Sequence, residues 1–260
     1  MLIDTHAHLT FPDFADDLDG LLARAAAAGV TRIITIGTSV ESSRRAVELA
    51  EKHPAVFAAV GIHPDNVMET APTFLDELRA LAQSPRVVAI GETGLDYIRR
   101  TPERIAAETG TQAAVFTRQL ELAAELGLNV VIHERESWDD TLAILAPFAG
   151  RLRAQFHCFG KSPTHAATVL AAGHLVSFTG IVTFKNAALV QQTAAHLPAG
   201  AFMVETDCPY LAPVPFRGKR CEPAHTRNIA EHLAQLRNQP LAALAAETTA
   251  TAEAFFRFAR

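Results

Sequence analysis

Short apolar segments alternate with longer amphipathic ones along the whole chain. The short segments are rich in β-branched residues and are bounded by turn residues, a pattern typical of buried strands. We predict eight strands from it, over residues 2–5, 32–36, 56–61, 87–91, 129–132, 154–156, 175–178 and 202–205.

The segments between these strands are rich in alanine and leucine, and their apolar positions recur about every 3.6 residues, as in helices. Clear examples are residues 16–29, 42–53 and 112–127. Gly29, Gly127 and Gly173 stand just before predicted strands, where glycine is the favoured residue to end a helix. Eight strand–helix repeats in 260 residues predict an α/β fold, the (β/α)₈ TIM barrel.

No linker rich in proline, glycine or serine divides the chain, so we expect one domain over residues 1–260. The alternative is an open α/β sheet, but the first strand is not followed by a glycine-rich phosphate loop. Residues 94–111 are expected to form an unusually long loop, and loops of that length are commonly functional.

Polar residues with catalytic chemistry stand at the carboxyl ends of the predicted strands, where a barrel has its active site. They are His6, His8, His63, Glu92, His133, Arg135, His157 and Asp207. A single buried histidine is ordinarily a hydrogen-bonded core residue. Four of these histidines (His6, His8, His133 and His157) and the two carboxylates on one rim are hard to explain as packing, because buried polar groups need partners. This pattern predicts a metal site.

Imidazoles together with carboxylates suit Zn²⁺ or Mn²⁺ better than an all-oxygen Mg²⁺ cage, although the ion could be any of the three. Six donors exceed the needs of one tetrahedral ion, so two adjacent divalent ions are expected, with Glu92 as a candidate bridge. Two ions about 3.5–4 Å apart can activate water and stabilise the attacking and leaving oxygens of a displacement.

The net charge of −5 excludes a strongly basic protein that coats nucleic acid, but it allows a local basic patch. RGKR at 217–220 is the densest basic cluster, so Arg217, Lys219 and Arg220, with Lys185, are candidate phosphate contacts. The alternative for this cluster is a solvated loop surface. Tyr97 is expected to pack, with base stacking as its alternative.

Three cysteines without a CxxC pair favour a reducing compartment, and we expect a cytoplasmic location. Neither a signal peptide nor a membrane span is expected, and no obligatory protein partner is inferred.

An ordered set of motifs covers nearly the whole chain. In order they read DTHAHL, GIHP, GETGLDY, Q-x6-QLELA, IHER, HCF, FTG-x3-FKN, ETDCPYL and RGKRCEP. The set resembles the TatD-type metal-dependent deoxyribonucleases of the amidohydrolase superfamily, whose fold is also a (β/α)₈ barrel.

The resemblance implies roles for the residues at the rim. His6, His8, Glu92 and Asp207 would hold one metal ion, and His133 and His157 would join Glu92 on a second. Asp207 would also orient or deprotonate the attacking water. Asp207 and Glu92 are therefore the two candidate catalytic residues. His63 and Arg135 would face the scissile phosphate. The implied reaction is hydrolysis of phosphodiester bonds in DNA, as a 3′–5′ exonuclease acting on a strand end, with a small phosphoester as the other substrate.

The chain departs from the family pattern at a few positions. Asp65 stands where histidine is common, Glu134 where a small residue is common, and Cys221 where asparagine is usual; Gly160 and Lys161 follow HCF instead of Ser-Gly. These departures spare the six proposed ligands and bear on substrate preference.

Two other functions stay open at this point. The first is a superfamily enzyme acting on an amide, a lactone or a small ester; many of these bridge their metals with a carboxylated lysine on strand four, where this chain has Glu92. The second is an inactive binding scaffold, against which the complete set of candidate ligands argues.

Overall fold

The computed structural model describes residues 1–98 and 102–258. In this part of the chain, eight parallel strands pair in chain order from β1 to β8 and form one nearly closed barrel. The predicted TIM-barrel fold is confirmed. The strands are β1 Leu2–Ala7, β2 Val30–Ile36, β3 Val56–Val60, β4 Val87–Asp96, β5 Asn129–Arg135, β6 Ala154–Phe156, β7 Leu175–Phe178 and β8 Phe202–Val204.

Helices connect successive strands and cover the outside of the barrel. Over the described residues they are α1 Leu18–Ala27, α2 Val40–Lys52, α3 Phe74–Leu81, α4 Pro102–Leu126, α5 Trp138–Leu145, α6 Pro163–Ala171, α7 Ala188–His196, α8 Thr226–Leu236 and α9 Leu241–Phe256. Short 3₁₀ turns lie at Pro12–Phe14, Pro64–Glu69, Ala146–Phe148, Gly180–Thr183 and Pro223–His225. No helix among the described residues is both long and apolar enough to cross a membrane.

The expected long loop over residues 94–111 is wrong. β4 continues to Asp96 because its end pairs with the end of β5, up to Asp96 opposite Arg135. α4 begins at Pro102, since proline fits the first turn of a helix. The polar stretch around Gly110 hides the helical pattern there. Only residues 97–101 connect the two elements, and residues 99–101 of the expected loop lie outside the described residues.

The barrel interior is apolar in the half that lies toward the amino ends of the strands. Strand alternation sends Ile34 and Ile36 inward, while Ile33 packs with the helices. Phe255 and Phe256 at the end of α9 join the inward cluster and are almost fully buried. Burial of each such side chain contributes roughly 1.5–3 kcal/mol, so this layer is a firm base for the polar layers above it.

A polar layer follows toward the carboxyl ends of the strands. The Glu205 carboxylate, fully buried, accepts hydrogen bonds from Ser177 Oγ at 2.7 Å and Gln155 Nε2 at 2.8 Å. Gln155 Nε2 also lies 3.1 Å from Thr5 Oγ1. These side chains come from four different strands or strand ends, so they hold the barrel together directly beneath the rim.

The barrel closes between β1 and the segment after β8. Asp4 accepts hydrogen bonds from both the backbone N–H and the hydroxyl of Thr206, at 2.9 and 2.6 Å. The Asp207 N–H donates to the His6 carbonyl at 2.8 Å, and the His8 N–H donates to the Cys208 carbonyl at 2.9 Å. This seam brings Asp207 beside the two histidines of β1.

Candidate metal centre

Four side chains converge at the rim where β1, β4 and β8 end. The candidate ligand atoms are His6 Nε2, His8 Nε2, Glu92 Oε2 and Asp207 Oδ1, and five of their separations run from 3.2 to 3.7 Å. An ion 2.0–2.2 Å from four tetrahedral donors keeps those donors roughly 3.3–3.6 Å apart. The donor set therefore fits a divalent ion in both chemistry and spacing.

A second group of donors faces the other oxygen of Glu92. His133 Nδ1 and His157 Nε2 each lie 2.9 Å from Glu92 Oε1, and they are 3.4 Å from one another. His63 Nε2 lies 3.6 Å from the same oxygen. Glu92 thus presents one oxygen to each group, which is the arrangement of a carboxylate that bridges two ions.

The local sequence of β4 lets Glu92 take this position. The register of β4 against β5 shifts between Ile90 and Thr93, which carries Glu92 out of strict strand alternation. At Gly94, φ is +140° and a Cβ would collide with the His133 carbonyl oxygen. Glycine there allows β4 and β5 to approach closely enough for Glu92 to reach His133.

Two further carboxylates hold the histidines of the second group. Asp96 Oδ2 lies 2.9 Å from His133 Nε2, opposite the edge that faces Glu92. Glu205 Oε1 lies 3.6 Å from His157 Nδ1 and accepts the Cys158 N–H at 2.6 Å. A carboxylate hydrogen-bonded to a metal-binding histidine, as Asp96 is to His133, fixes the ring orientation and raises the basicity of the ring, whereas Glu205 acts on His157 by its charge.

The carboxylates of the site raise the pKa of His133 and His157, whereas burial lowers the pKa of His6 and His63. Burial alone would raise the pKa of Glu92, but His157, His63 and His6 outweigh it and hold that pKa well below its usual value. Burial opposes protonation of His133, yet its bonds to Asp96 and Glu92 raise its pKa to about 9. The same surroundings that favour a proton on this ring favour a divalent ion beside it.

Asp207 reaches the site by a backbone route that strand alternation does not describe. β8 ends at Val204, and Asp207 has a φ of +59° in the left-handed region. Its burial would raise its pKa, but hydrogen bonding to His8 and the nearby charge of His6 lower it. The carboxyl is therefore ionised at neutral pH, the form that can bind a cation and accept a hydrogen bond from water.

Of the two residues expected to face the scissile phosphate, His63 lies beside the second group, and Arg135 lies at the end of β5 opposite Asp96. His63 Nδ1 accepts the Asp65 N–H at 3.0 Å, which leaves Nε2 directed at Glu92. Arg135 is exposed at the end of β5, and its charge helps to lower the pKa of Asp96. Asp65 is exposed beside His63, so the departure from the family pattern lies at the mouth of the site.

The four basic candidates for phosphate binding have different surroundings. Lys185 and Lys219 are exposed on the loops after β7 and β8. The Arg217 guanidinium lies 4.1 Å from the centre of the Phe184 ring. Arg220 turns away toward α1, where it pairs with Asp17 at 2.7 Å and donates to the Asp13 carbonyl. The structure thus places Arg220 as an anchor of the loop that carries Arg217 and Lys219.

The remaining departures from the family pattern have clear environments. Lys161 Nζ lies 3.2 Å from Glu134 Oε2, so two of the unusual residues form an ion pair with each other. Cys221 is buried, and its N–H donates to the Pro209 carbonyl.

Gln112 and Gln119 of α4 stand in the motif Q-x6-QLELA and Tyr210 in ETDCPYL, but the strand-end pattern gives no role to them or to Phe11. Gln112 and Gln119 are buried and bind the backbone of strand-end residues. Their seven-residue spacing, which puts both on one helix face, was the available signal. Tyr97, the expected aromatic candidate, donates its hydroxyl to Asp140 at 2.8 Å.

A parallel (β/α)₈ barrel with imidazoles and carboxylates facing one another at its carboxyl rim is the architecture of a metal-dependent hydrolase. The model of the TatD related DNase family matches residues 3–257, and the chain belongs to that family.

Similar proteins agree with this assignment over the full length of the chain. A Bacillus subtilis protein named uncharacterized metal-dependent hydrolase YabD is 37% identical over 259 residues, which cover 99% of each chain. The 3′-5′ ssDNA/RNA exonuclease TatD of Enterobacter lignolyticus is 36% identical and covers 95% of each. The crystal structure of YJJV, a TatD homolog from Escherichia coli, superimposes with a TM-score of 0.91 at 30% identity, covering 98% of each chain.

Proposed function

We propose that this metal-dependent hydrolase is a two-metal phosphodiesterase that removes nucleotides from the 3′ end of DNA. The observation that carries the proposal is Glu92, whose two oxygens face two separate groups of donors. A carboxylate at this position, with basic residues on the neighbouring loops, suits a phosphate-centred substrate.

The two donor groups support an assignment of residues to each of the two ions. His6, His8, Glu92 and Asp207 would hold the first ion, and Glu92, His133 and His157 the second, as Zn²⁺, Mn²⁺ or Mg²⁺. When bound, the pair would activate a water molecule and neutralise charge on the attacking and leaving oxygens.

The chain's own residues perform the remaining tasks. Asp207 orients the attacking water and accepts its proton at the carboxylate, which its lowered pKa keeps ionised. His63 and Arg135 bind the non-bridging oxygens of the phosphate: His63 lies beside Glu92, and Arg135 is exposed at the end of β5, in register with Asp96. Lys185, Arg217 and Lys219 hold the adjacent nucleotide backbone. Arg220 acts on the substrate only through the loop that it anchors.

Two observations support the direction of cleavage and a single-stranded substrate. Relatives at about one-third identity are named 3′-5′ ssDNA/RNA exonucleases. The net charge of −5 disfavours long tracking along a duplex, which needs many phosphate contacts. A single-stranded end needs only a few, and the basic loops supply them.

Cleavage of labelled oligonucleotides tests the proposal. A 3′-labelled single strand should lose its label at once, and a 5′-labelled strand should shorten progressively. EDTA and Asp207→Asn should each abolish both signals, whereas Asp16→Asn, at an exposed position before α1, should not. If the protein binds two ions but cuts no oligonucleotide, the proposal is contradicted. If the same metal-loaded protein hydrolyses an amide or a lactone, the amidohydrolase function replaces the nuclease function.

A further inference from the structure

An aromatic pair lies at the edge of the candidate metal centre. The Phe11 ring stacks on the His8 ring with centroids 4.7 Å apart and an interplanar angle of 21°. The Tyr210 ring meets Phe11 edge to face, at 6.1 Å and 80°. The two aromatic residues therefore continue outward from a candidate metal-binding histidine to the protein surface.

Tyr210 is more exposed than its size leads one to expect. Its residue surface is 54% accessible, whereas Phe11 behind it is partly buried. Aromatic rings normally contribute to stability by burial, so a ring that packs on one edge and leaves most of its surface in water gains little from its position. An exposed ring next to a proposed phosphate site is suited to stack on a nucleic acid base.

The backbone holds Tyr210 close to the reacting groups. The Tyr210 N–H donates to the Asp207 carbonyl at 3.0 Å, so the ring is one short turn away from the proposed proton acceptor. The same connection leads on to Arg217 and Lys219, whose charges suit the backbone of a nucleic acid strand. The connection after β8 thus puts an aromatic ring beside the proposed phosphate site and carries cationic side chains further along the same segment.

We propose that Tyr210, braced by Phe11, is the stacking platform for the base of the 3′-terminal nucleotide, the one that leaves; this rests on the proposed nuclease function. A stacking platform reads the face of a base and not its hydrogen-bonding edge, so it accepts all four bases. Because a paired terminal base is already stacked in a duplex, the platform favours single-stranded ends. Tyr97, whose hydroxyl is bonded to Asp140 on the opposite side of the rim, does not take this role.

Substrates that lack one base test the platform. Wild-type enzyme, Tyr210→Phe and Tyr210→Ala are each given an oligonucleotide with a normal 3′ nucleotide and one with a 3′-terminal abasic residue. Tyr210→Ala should lower kcat/KM on the normal end at least about fivefold and leave the abasic end almost unchanged. Tyr210→Phe keeps the ring and should behave as wild type on both.

A spectroscopic measurement accompanies the kinetics. A 3′-terminal 2-aminopurine, linked through a slowly cleaved phosphorothioate, should lose fluorescence on wild-type enzyme and on Tyr210→Phe because it stacks. It should lose much less on Tyr210→Ala.

Other outcomes would overturn the platform. Equal losses on normal and abasic ends would make Tyr210 a structural residue, and base-dependent losses in Tyr97→Ala instead would place the base on the other side of the rim. Sensitivity to the penultimate base alone would contradict the assignment to the leaving nucleotide. If wild-type enzyme cuts neither substrate, the proposed function itself has failed, which separates the two results.

Discussion

Gln119 and Ile62 are joined by a pair of hydrogen bonds. The side-chain amide of Gln119 pairs with both backbone groups of Ile62, as the backbone of a neighbouring strand would. Gln119 Oε1 accepts the Ile62 N–H at 2.8 Å, and Gln119 Nε2 donates to the Ile62 carbonyl at 3.1 Å. Gln112, two turns earlier on α4, forms the same pair with Asp96. Since Ile62 precedes His63 and Asp96 contacts His133, α4 positions two of the imidazoles at the rim.

Gln119→Met should therefore impair the site as well as the fold. The variant leaves the buried N–H and C=O of Ile62 without this partner, and each unsatisfied group costs roughly 1–3 kcal/mol. We expect the free energy of unfolding in urea to fall by about 2–6 kcal/mol and kcat on an oligonucleotide to fall more than tenfold in the protein that remains folded, because His63 loses its fixed position. Gln235→Met, at an exposed position on α8, is the matched control and should change neither. Wild-type kcat in folded Gln119→Met would refute the positioning role.

The fold was predictable from local sequence because short apolar strands, glycine-ended helices and rim residues all obey rules that span a few residues. His6, His8 and His133 meet because parallel strands bring their carboxyl ends to one edge, whatever the details of the chain. The beginning of α4 was missed because Gly110 and its polar neighbours weaken the helical pattern, while the barrel supplies the packing that stabilises the helix.

Features that depend on contacts between distant segments could not be predicted from such local rules. The left-handed backbone at Asp207 follows from the seam between β1 and β8, in which Asp4 binds Thr206. The basic motif at 217–220 looks uniform in sequence, yet Arg220 is drawn to Asp17 by the fold. The sequence does not distinguish Tyr97 from Tyr210 either. Only the folded structure shows that the Tyr97 hydroxyl is bonded to Asp140 and that the Tyr210 ring is exposed.

Metal content should follow the two donor groups. We expect wild-type protein to bind two ions per chain, His8→Ala and His157→Ala to keep one each, and Glu92→Ala to keep none, as measured by elemental analysis after dialysis. An ion present at 100 times its Kd stabilises the folded state by about 2.7 kcal/mol, so the melting temperature should rise on metal addition in step with the number of sites. His196→Ala, exposed on α7, should match wild type. Retention of both ions by Glu92→Ala would exclude a bridging carboxylate.

The ion pair between Glu134 and Lys161 should show strong coupling. The Glu134 side chain is only 6% exposed and the Lys161 side chain 26%, so removing the lysine leaves a nearly buried carboxylate without this countercharge. Lys161→Met should lower the free energy of unfolding by about 1–3 kcal/mol. Adding Glu134→Gln, which keeps an acceptor for the Ser137 N–H, should restore most of that loss. Urea unfolding of the wild type, both single variants and the double variant gives the coupling, and a value below about 0.3 kcal/mol would mean that the pair is no stronger than an exposed one.

His174 should make the protein less stable as the pH falls. Burial, and then the charge of Arg153, lower the pKa of His174 to about 4 from the ordinary value of 6.5. Between these two values the unfolded chain binds a proton at this residue and the folded chain does not. The contribution of His174 to stability is therefore complete above pH 6.5 and is lost progressively as the pH falls toward 4, by at most about 1.4 kcal/mol per pH unit. His174→Asn keeps an acceptor for the Ala154 N–H, which His174 Nδ1 accepts at 3.3 Å, but it cannot titrate. Its free energy of unfolding, measured in urea at several pH values, should fall less steeply than that of the wild type, whereas Gln235→Asn should follow the wild-type slope. Parallel slopes for His174→Asn and wild type would show that His174 takes up its proton equally well in the folded chain.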